Sequence, residues 1–265
     1  MTEGDFLTPI LARKEREVLR RARHYRDGAP ALPHADASRR ELAHTALRRA
    51  KGQAPRVIAE IKRASPSAGS IRPYTRGDVA WIAQEYVRGG ASAISVLCDR
   101  VGFAGSVLDF RRAARACTAP LLFKEFVVDE LQIELARRVG AHMVLLIVRA
   151  VSAERLNALC DAVLSAGMAP VVEAANAAEV EVALTTRATI VGVNARDLRT
   201  FKVDPAAAHQ VLRLIPADRI AVHMSGVKSA GDFREIAGGR ADAMLVGESL
   251  MRAERPSEKL RELLG

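Results

Sequence analysis

From Val57 onward the chain repeats one pattern, a short run of apolar, largely β-branched residues followed by a longer amphipathic stretch. The runs are VIAEI (57–61), SAISVL (92–97), PLLFK (120–124), HMVLLIV (142–148), PVVEA (170–174), TIVGV (189–193), RIAVHM (219–224) and DAMLVG (242–247). Between them lie segments such as DVAWIAQEYVRGG, DELQIELARRVG and SAERLNALCDAVLSAG, whose apolar positions recur with helical spacing and whose last residue is a glycine suited to a helix C-cap. Ahead of the repeat, residues 5–26 predict a helix with Leu7, Leu11, Val18 and Ala22 near one face. DGAPALP breaks it, and the capping-box spacing of Ser38 and Glu41 opens a second helix to about Ala50.

Strands that are continuously apolar, each followed by a helix, belong to a parallel sheet covered on its faces. Eight such units in about 200 residues predict an α/β fold of the (β/α)8 TIM barrel type. The expected organisation is one barrel domain over residues 1–265, with residues 1–52 as an N-terminal helical extension lying at its bottom or across its mouth. An open doubly wound sheet fits less well, because the first turn after a strand carries no G-x-G-x-x-G and no acidic residue is placed to hold a ribose.

In such a barrel the reactive groups project from the C-terminal ends of the strands. The first strand offers Glu60 and Lys62, two residues apart and so on one inward face. The third ends in Lys124, the fifth in Glu173, the sixth in Asn194 with Arg196, the seventh in Ser225 and Gly226, and the eighth in Gly247. Any one of these alone is an ordinary rim ion pair. Two lysines, two glutamates, an asparagine and an arginine converging on one mouth point to a site, since so many partly buried charges cost stability unless they have a task.

The last two strands suggest what is bound. Gly226, and VGES at 246–249 with Gly247 and Glu248, present backbone N–H groups where phosphate binds after strands seven and eight of barrels, and Ser65 in the first loop adds a hydroxyl. The formal net charge of +9 suits an anionic small molecule. It does not indicate a nucleic-acid partner, because aromatics are only 4% of the chain and no reading motif accompanies the arginines of residues 13–26. Those arginines are expected to coat helix surfaces, paired as Glu17 with Arg21.

With 49% hydrophobic residues the chain buries a full core, yet no run of about 18 apolar residues exists and the N-terminus lacks an apolar signal region, so no membrane partner is expected and the location is cytoplasmic. Cys98, Cys117 and Cys160 stand far apart without C-x-x-C spacing, and six histidines are scattered, so reduced thiols, no metal and no cofactor are expected.

AEIKRASPSAGSI, SVL leading to FAGS, LLFKEF, LLIV, VVEA, VGVNARDL, SGV and LVGESLM resemble, in order and spacing, the indole-3-glycerol phosphate synthases of tryptophan biosynthesis. The likeness runs over nearly the whole chain. It implies a lyase, monomeric or homodimeric, that closes the ring of 1-(2-carboxyphenylamino)-1-deoxyribulose 5-phosphate with loss of carbon dioxide and water, without metal or organic cofactor. By this resemblance Lys124 is the general acid and Glu173 the general base. Lys62 acts on the hydroxyl and phosphate end, Glu60 orients a lysine or shares proton transfer, and Asn194 and Arg196 hold polar groups of the substrate. Phe103 and Phe126 flank the anthranilate ring. The acid role of Lys124 is expected to require a pKa lowered by burial or by Lys62.

Four departures accompany the likeness. Met224 stands where the family has glutamate, Glu125 replaces aspartate, Ala175 replaces histidine, and Ala195 replaces asparagine. Loss of the carboxylate at 224 is expected to push the lysine pKa values down. His223 alternates to the other face of its strand and is expected to meet the helices. Two alternatives to the synthase therefore stay open: a relative acting on another phosphorylated substrate, and a barrel that binds such a ligand without turning it over.

Overall fold

Each of the eight apolar runs forms a strand, and hydrogen bonding closes them into a ring. In the computed structural model, which describes residues 6–27, 38–66, 68–73, 77–195 and 205–265, the strands are β1 (Arg56–Ile61), β2 (Ala93–Leu97), β3 (Leu121–Lys124), β4 (Met143–Ile147), β5 (Ala169–Ala174), β6 (Ile190–Asn194), β7 (Ile220–Met224) and β8 (Ala243–Val246). All pair in parallel with their neighbours in sequence, and β1 closes the barrel against β8. A short antiparallel ribbon, Ala64–Ser65 with Gly69–Ser70, follows β1.

Alternation along the strands divides the core in two. Outward residues such as Val57, Ala59, Ile94, Leu121 and Val191 pack beneath the helices. Inward residues such as Ile58, Leu122, Leu145, Val171, Ile190, Val222 and Leu245 fill the barrel as layers. Glycines close several helices as the sequence implies, with Gly90, Gly140 and Gly167 each left-handed just beyond a helix end.

The extension contributes to both ends of the barrel, where the sequence left one or the other. Helix α1 (Leu7–Asp27) meets the mouth: Lys14 reaches Asp99 beyond β2 and Glu125 beyond β3. Helix α2 (Ser38–Leu47) closes the bottom. There Ala43 and Leu47 are fully buried in the interior cluster, the Arg48 guanidinium donates to the carbonyls of Ala217, Asp218 and Arg219 at 2.9–3.0 Å, and the His44 ring meets the Thr189 hydroxyl. The breaker DGAPALP falls, past Asp27, outside the described residues, as does the side chain of Arg21; Glu17 bonds Lys14. No helix among the described residues is long and apolar enough to cross a membrane.

Two histidines make the fold acid-sensitive. His223, fully buried, faces the helix layer against His209, with ring centroids 6.4 Å apart. His142 accepts a hydrogen bond from the Leu121 amide through Nδ1. Burial, aided by His209 in one case and Arg39 in the other, lowers both pKa values to about 4. The unfolded chain therefore binds more protons between pH 4 and pH 6.5, and stability falls as pH drops through that window while changing little above it on their account. The two together are expected to remove roughly 6 kcal/mol by pH 4. Urea titrations at pH 7, 5.5 and 4.5 check this, and a midpoint that stays constant would contradict it.

Candidate active site

The mouth of the barrel holds a cavity. Glu60, Lys62, Ser65, Phe103, Lys124, Phe126, Glu173, Asn194 and Ser225, all read from the sequence, line it together. Glu125, Met224 and four apolar residues, Leu97, Leu145, Ile147 and Leu245, complete the wall. Sequence alternation alone gave no sign of those four as site residues, since an inward leucine at a strand end looks like any other core leucine.

Two lysine–carboxylate pairs organise the polar side. Lys62 Nζ lies 3.0 Å from Glu60 Oε1, which the two-residue spacing on β1 requires once both point inward. Across the mouth, Lys124 Nζ from the end of β3 lies 3.4 Å from Glu173 Oε2 on β5. The other oxygen of Glu173 accepts a hydrogen bond from Asn194 Nδ2 at 3.0 Å. Both lysines are 16% exposed, so they face the cavity while their partners lie beneath them.

Burial pulls the Lys124 pKa down, but the negative charges of Glu173 and Glu60 and the Glu173 hydrogen bond outweigh it, and the pKa is raised. The expectation of a value lowered by burial or by Lys62 is thus corrected. Lys62 is itself paired to Glu60, and Glu60 acts on both lysines. Lys124 stays protonated at neutral pH, as a proton donor must be before reaction.

Met224 points inward, almost fully buried, with its thioether over Gly192; a Cβ at Gly192 would come within 2.8 Å of the sulfur. This part of the floor is apolar where a carboxylate was missed. Ser225 next to it has φ 72°, a left-handed conformation that costs a non-glycine residue about 1 kcal/mol and is typical of functional turns.

The residues assigned to anion binding divide. Gly226 is left-handed, but the helix beyond it starts only at Ala230, and its N-terminus is already closed by Ser229 and Asp232 in a capping box. Gly247 directly precedes the short helix Glu248–Arg252 and carries no capping side chain. The Glu248 carboxylate turns to Arg252, so only its backbone faces the role expected of it. Ser65 Oγ accepts from the Ala68 amide at 3.2 Å. Arg196 and Ser67 lie outside the described residues.

Gly247 has a second task. A Cβ there would stand 2.8 Å from Glu60 Oε1 and 3.1 Å from Glu60 Cβ. Gly247→Ala is expected to push Glu60 off Lys62 and lower kcat/KM about 10- to 100-fold with little loss of stability. Steady-state kinetics beside a melting curve check this, and unchanged kinetics would show that Glu60 has room to spare.

Phe103 and Phe126 form the apolar side, with ring centroids 6.1 Å apart and planes at 36°. At that separation the two rings pack on each other and make one apolar wall beside the charged pairs.

Comparison with known proteins gives the same direction throughout. A family model described as indole-3-glycerol phosphate synthase matches residues 7–263. An indole-3-glycerol phosphate synthase of Polaromonas sp. is 40% identical over 267 residues, which cover 99% of each chain. That of Aromatoleum aromaticum is 44% identical over 209 residues, 79% of each chain. Among solved structures, the tryptophan synthase complex of Pyrococcus furiosus aligns with TM-score 0.61 at 14% identity, over 80% of this chain and 99% of the other, a likeness of fold alone.

Proposed function

The chain belongs to the indole-3-glycerol phosphate synthase family, and from that premise we propose how its own residues divide the family's reaction. That reaction is the decarboxylating and dehydrating ring closure of 1-(2-carboxyphenylamino)-1-deoxyribulose 5-phosphate, catalysed by a carbon–carbon lyase of tryptophan biosynthesis. The observation that carries the assignment is the pair of lysine–carboxylate contacts, Lys62 with Glu60 and Lys124 with Glu173, facing each other over one cavity beside an aromatic pair.

The anthranilate ring lies against the apolar wall that Phe103 and Phe126 form together, and the phosphate lies toward Gly226, Gly247 and Ser65. This orientation brings the ketone of the ribulose chain to the lysines. As the ring carbon bearing the carboxylate attacks the ketone carbon, the carbonyl electrons take a proton from Lys124. The carboxylate then leaves as carbon dioxide, its bonding pair returning to the ring. In the second stage the new hydroxyl departs as water with a proton from Lys62, and Glu173 accepts the proton released from the substrate. Asn194 fixes the Glu173 carboxylate for this by occupying one of its oxygens. Glu60 holds Lys62 and adds negative charge near Lys124. Arg196 is assigned to the substrate carboxylate on chemical grounds, the guanidinium fork matching its two oxygens. The chain is one barrel domain, with residues 1–52 as its extension, that works in the cytoplasm as monomer or homodimer without a cofactor.

Incubating the purified protein with the substrate and following indole fluorescence tests this reading. Turnover is expected; tight binding without turnover would point instead to a ligand-binding barrel, and neither would point to a different substrate.

A further inference from the structure

Lys14 is the least expected charged residue of the fold. It comes from the extension, is 1% exposed, and places Nζ 3.1 Å from each of three carboxylates, Glu17, Asp99 and Glu125. Burial alone would drive its charge off; the three anions reverse this, so the pKa is raised and the cation is permanent. Arg13 adds a second cation at 2.8 Å from Asp99.

The two distant carboxylates each control an aromatic of the cavity. Asp99 is the N-cap of the one-turn helix Arg100–Phe103, its Oδ2 accepting from the Gly102 amide at 2.7 Å, and that turn ends in Phe103. Glu125 Oε1 accepts from the amide of Phe126 at 2.8 Å, while Oε2 meets Lys14. Glu125 is buried, and burial followed by the Asp99 charge, against Lys14, raises its pKa to about 7. One ammonium therefore ties together the loops after β2 and β3 at the points where they present Phe103 and Phe126.

We propose that Lys14 is a positioning residue for the ring end of the substrate: by bridging Asp99 and Glu125 it fixes how Phe103 and Phe126 pack into one apolar wall. It touches no substrate atom. The inference rests on the ring-pocket assignment above and goes beyond it, because it gives a residue of the extension a specific share in recognition. Glu125 in place of the family's aspartate fits this role, since the longer side chain folds back to its neighbour's amide and still reaches Lys14.

The test compares two probes, indole for the ring end and inorganic phosphate for the anion end, by calorimetric titration of the full chain. Lys14→Met is expected to weaken indole binding about tenfold and leave phosphate binding unchanged, with KM rising and kcat held within about threefold. Removing a buried cation from two carboxylates endangers folding, so Asp99→Asn is measured beside it; the asparagine keeps the cap acceptor for Gly102 but loses the ion pair, and the same ring-selective loss is expected. Folded variants that bind indole as well as the unaltered protein, or lose both ligands equally, would overturn the proposal. Failure of the unaltered protein to bind indole would overturn the ring-pocket assignment itself.

Discussion

Lys124→Ala is expected to lower kcat by about 10³- to 10⁴-fold in the indole-forming assay, the upper range for loss of a positioned general acid. The reason is geometric and electrostatic together. Lys124 is the cavity-facing end of β3, and the charges of Glu173 and Glu60 keep it protonated in a site that also buries it. A loaded donor at the ketone oxygen neutralises the alkoxide as the carbon–carbon bond forms, and water in the shortened variant cannot be held at that point. The cavity, the aromatic pair and the anion end are untouched, so KM is expected to change by less than about tenfold. The measurement is kcat and KM beside a melting curve. A variant that keeps a tenth of the activity would remove Lys124 from the chemistry.

Glu173→Gln carries the second large effect, a fall in kcat of about 10²- to 10³-fold. The amide is nearly isosteric and leaves an oxygen for Asn194, so the fold is preserved while the proton acceptor is lost. It also removes the first of the two charges that raise Lys124. Burial then weighs more heavily, and the pKa of Lys124 moves down. Residual activity that depends on protonated Lys124 is present below that pKa and lost as pH rises through it, so its alkaline limit is expected at lower pH than in the unaltered enzyme. A pH profile whose alkaline limb stays in place would separate Glu173 from Lys124.

Much of this site was legible in the sequence because barrel strands obey a period of two. Glu60 and Lys62 had to share the inward face, Lys124 and Glu173 stood at strand ends, and His223 had to turn away from Met224; each is where alternation puts it. The direction of the Lys124 shift was not legible, because it depends on which carboxylates come near in space, and Glu60 and Glu173 arrive from strands on either side of it in the chain. Lys14 was hidden for the same reason: among the arginines of α1 it looks like another surface cation, and only the loops after β2 and β3 make it buried. The helix after β7 shows a subtler difference. A glycine at a strand end suggested open amides, yet Ser229 and Asp232 close that helix themselves, whereas the helix after Gly247 has no capping side chain.

The central claim is that Lys124 and Glu173 are coupled, Glu173 holding Lys124 in place and protonated as well as accepting a proton itself. A double-mutant cycle on kcat tests it most directly, since groups that act together lose their effects together. Lys124→Ala with Glu173→Gln is expected to be as slow as Lys124→Ala alone, within about threefold. Losses that multiply, giving a double variant slower by the product of the two, would contradict it.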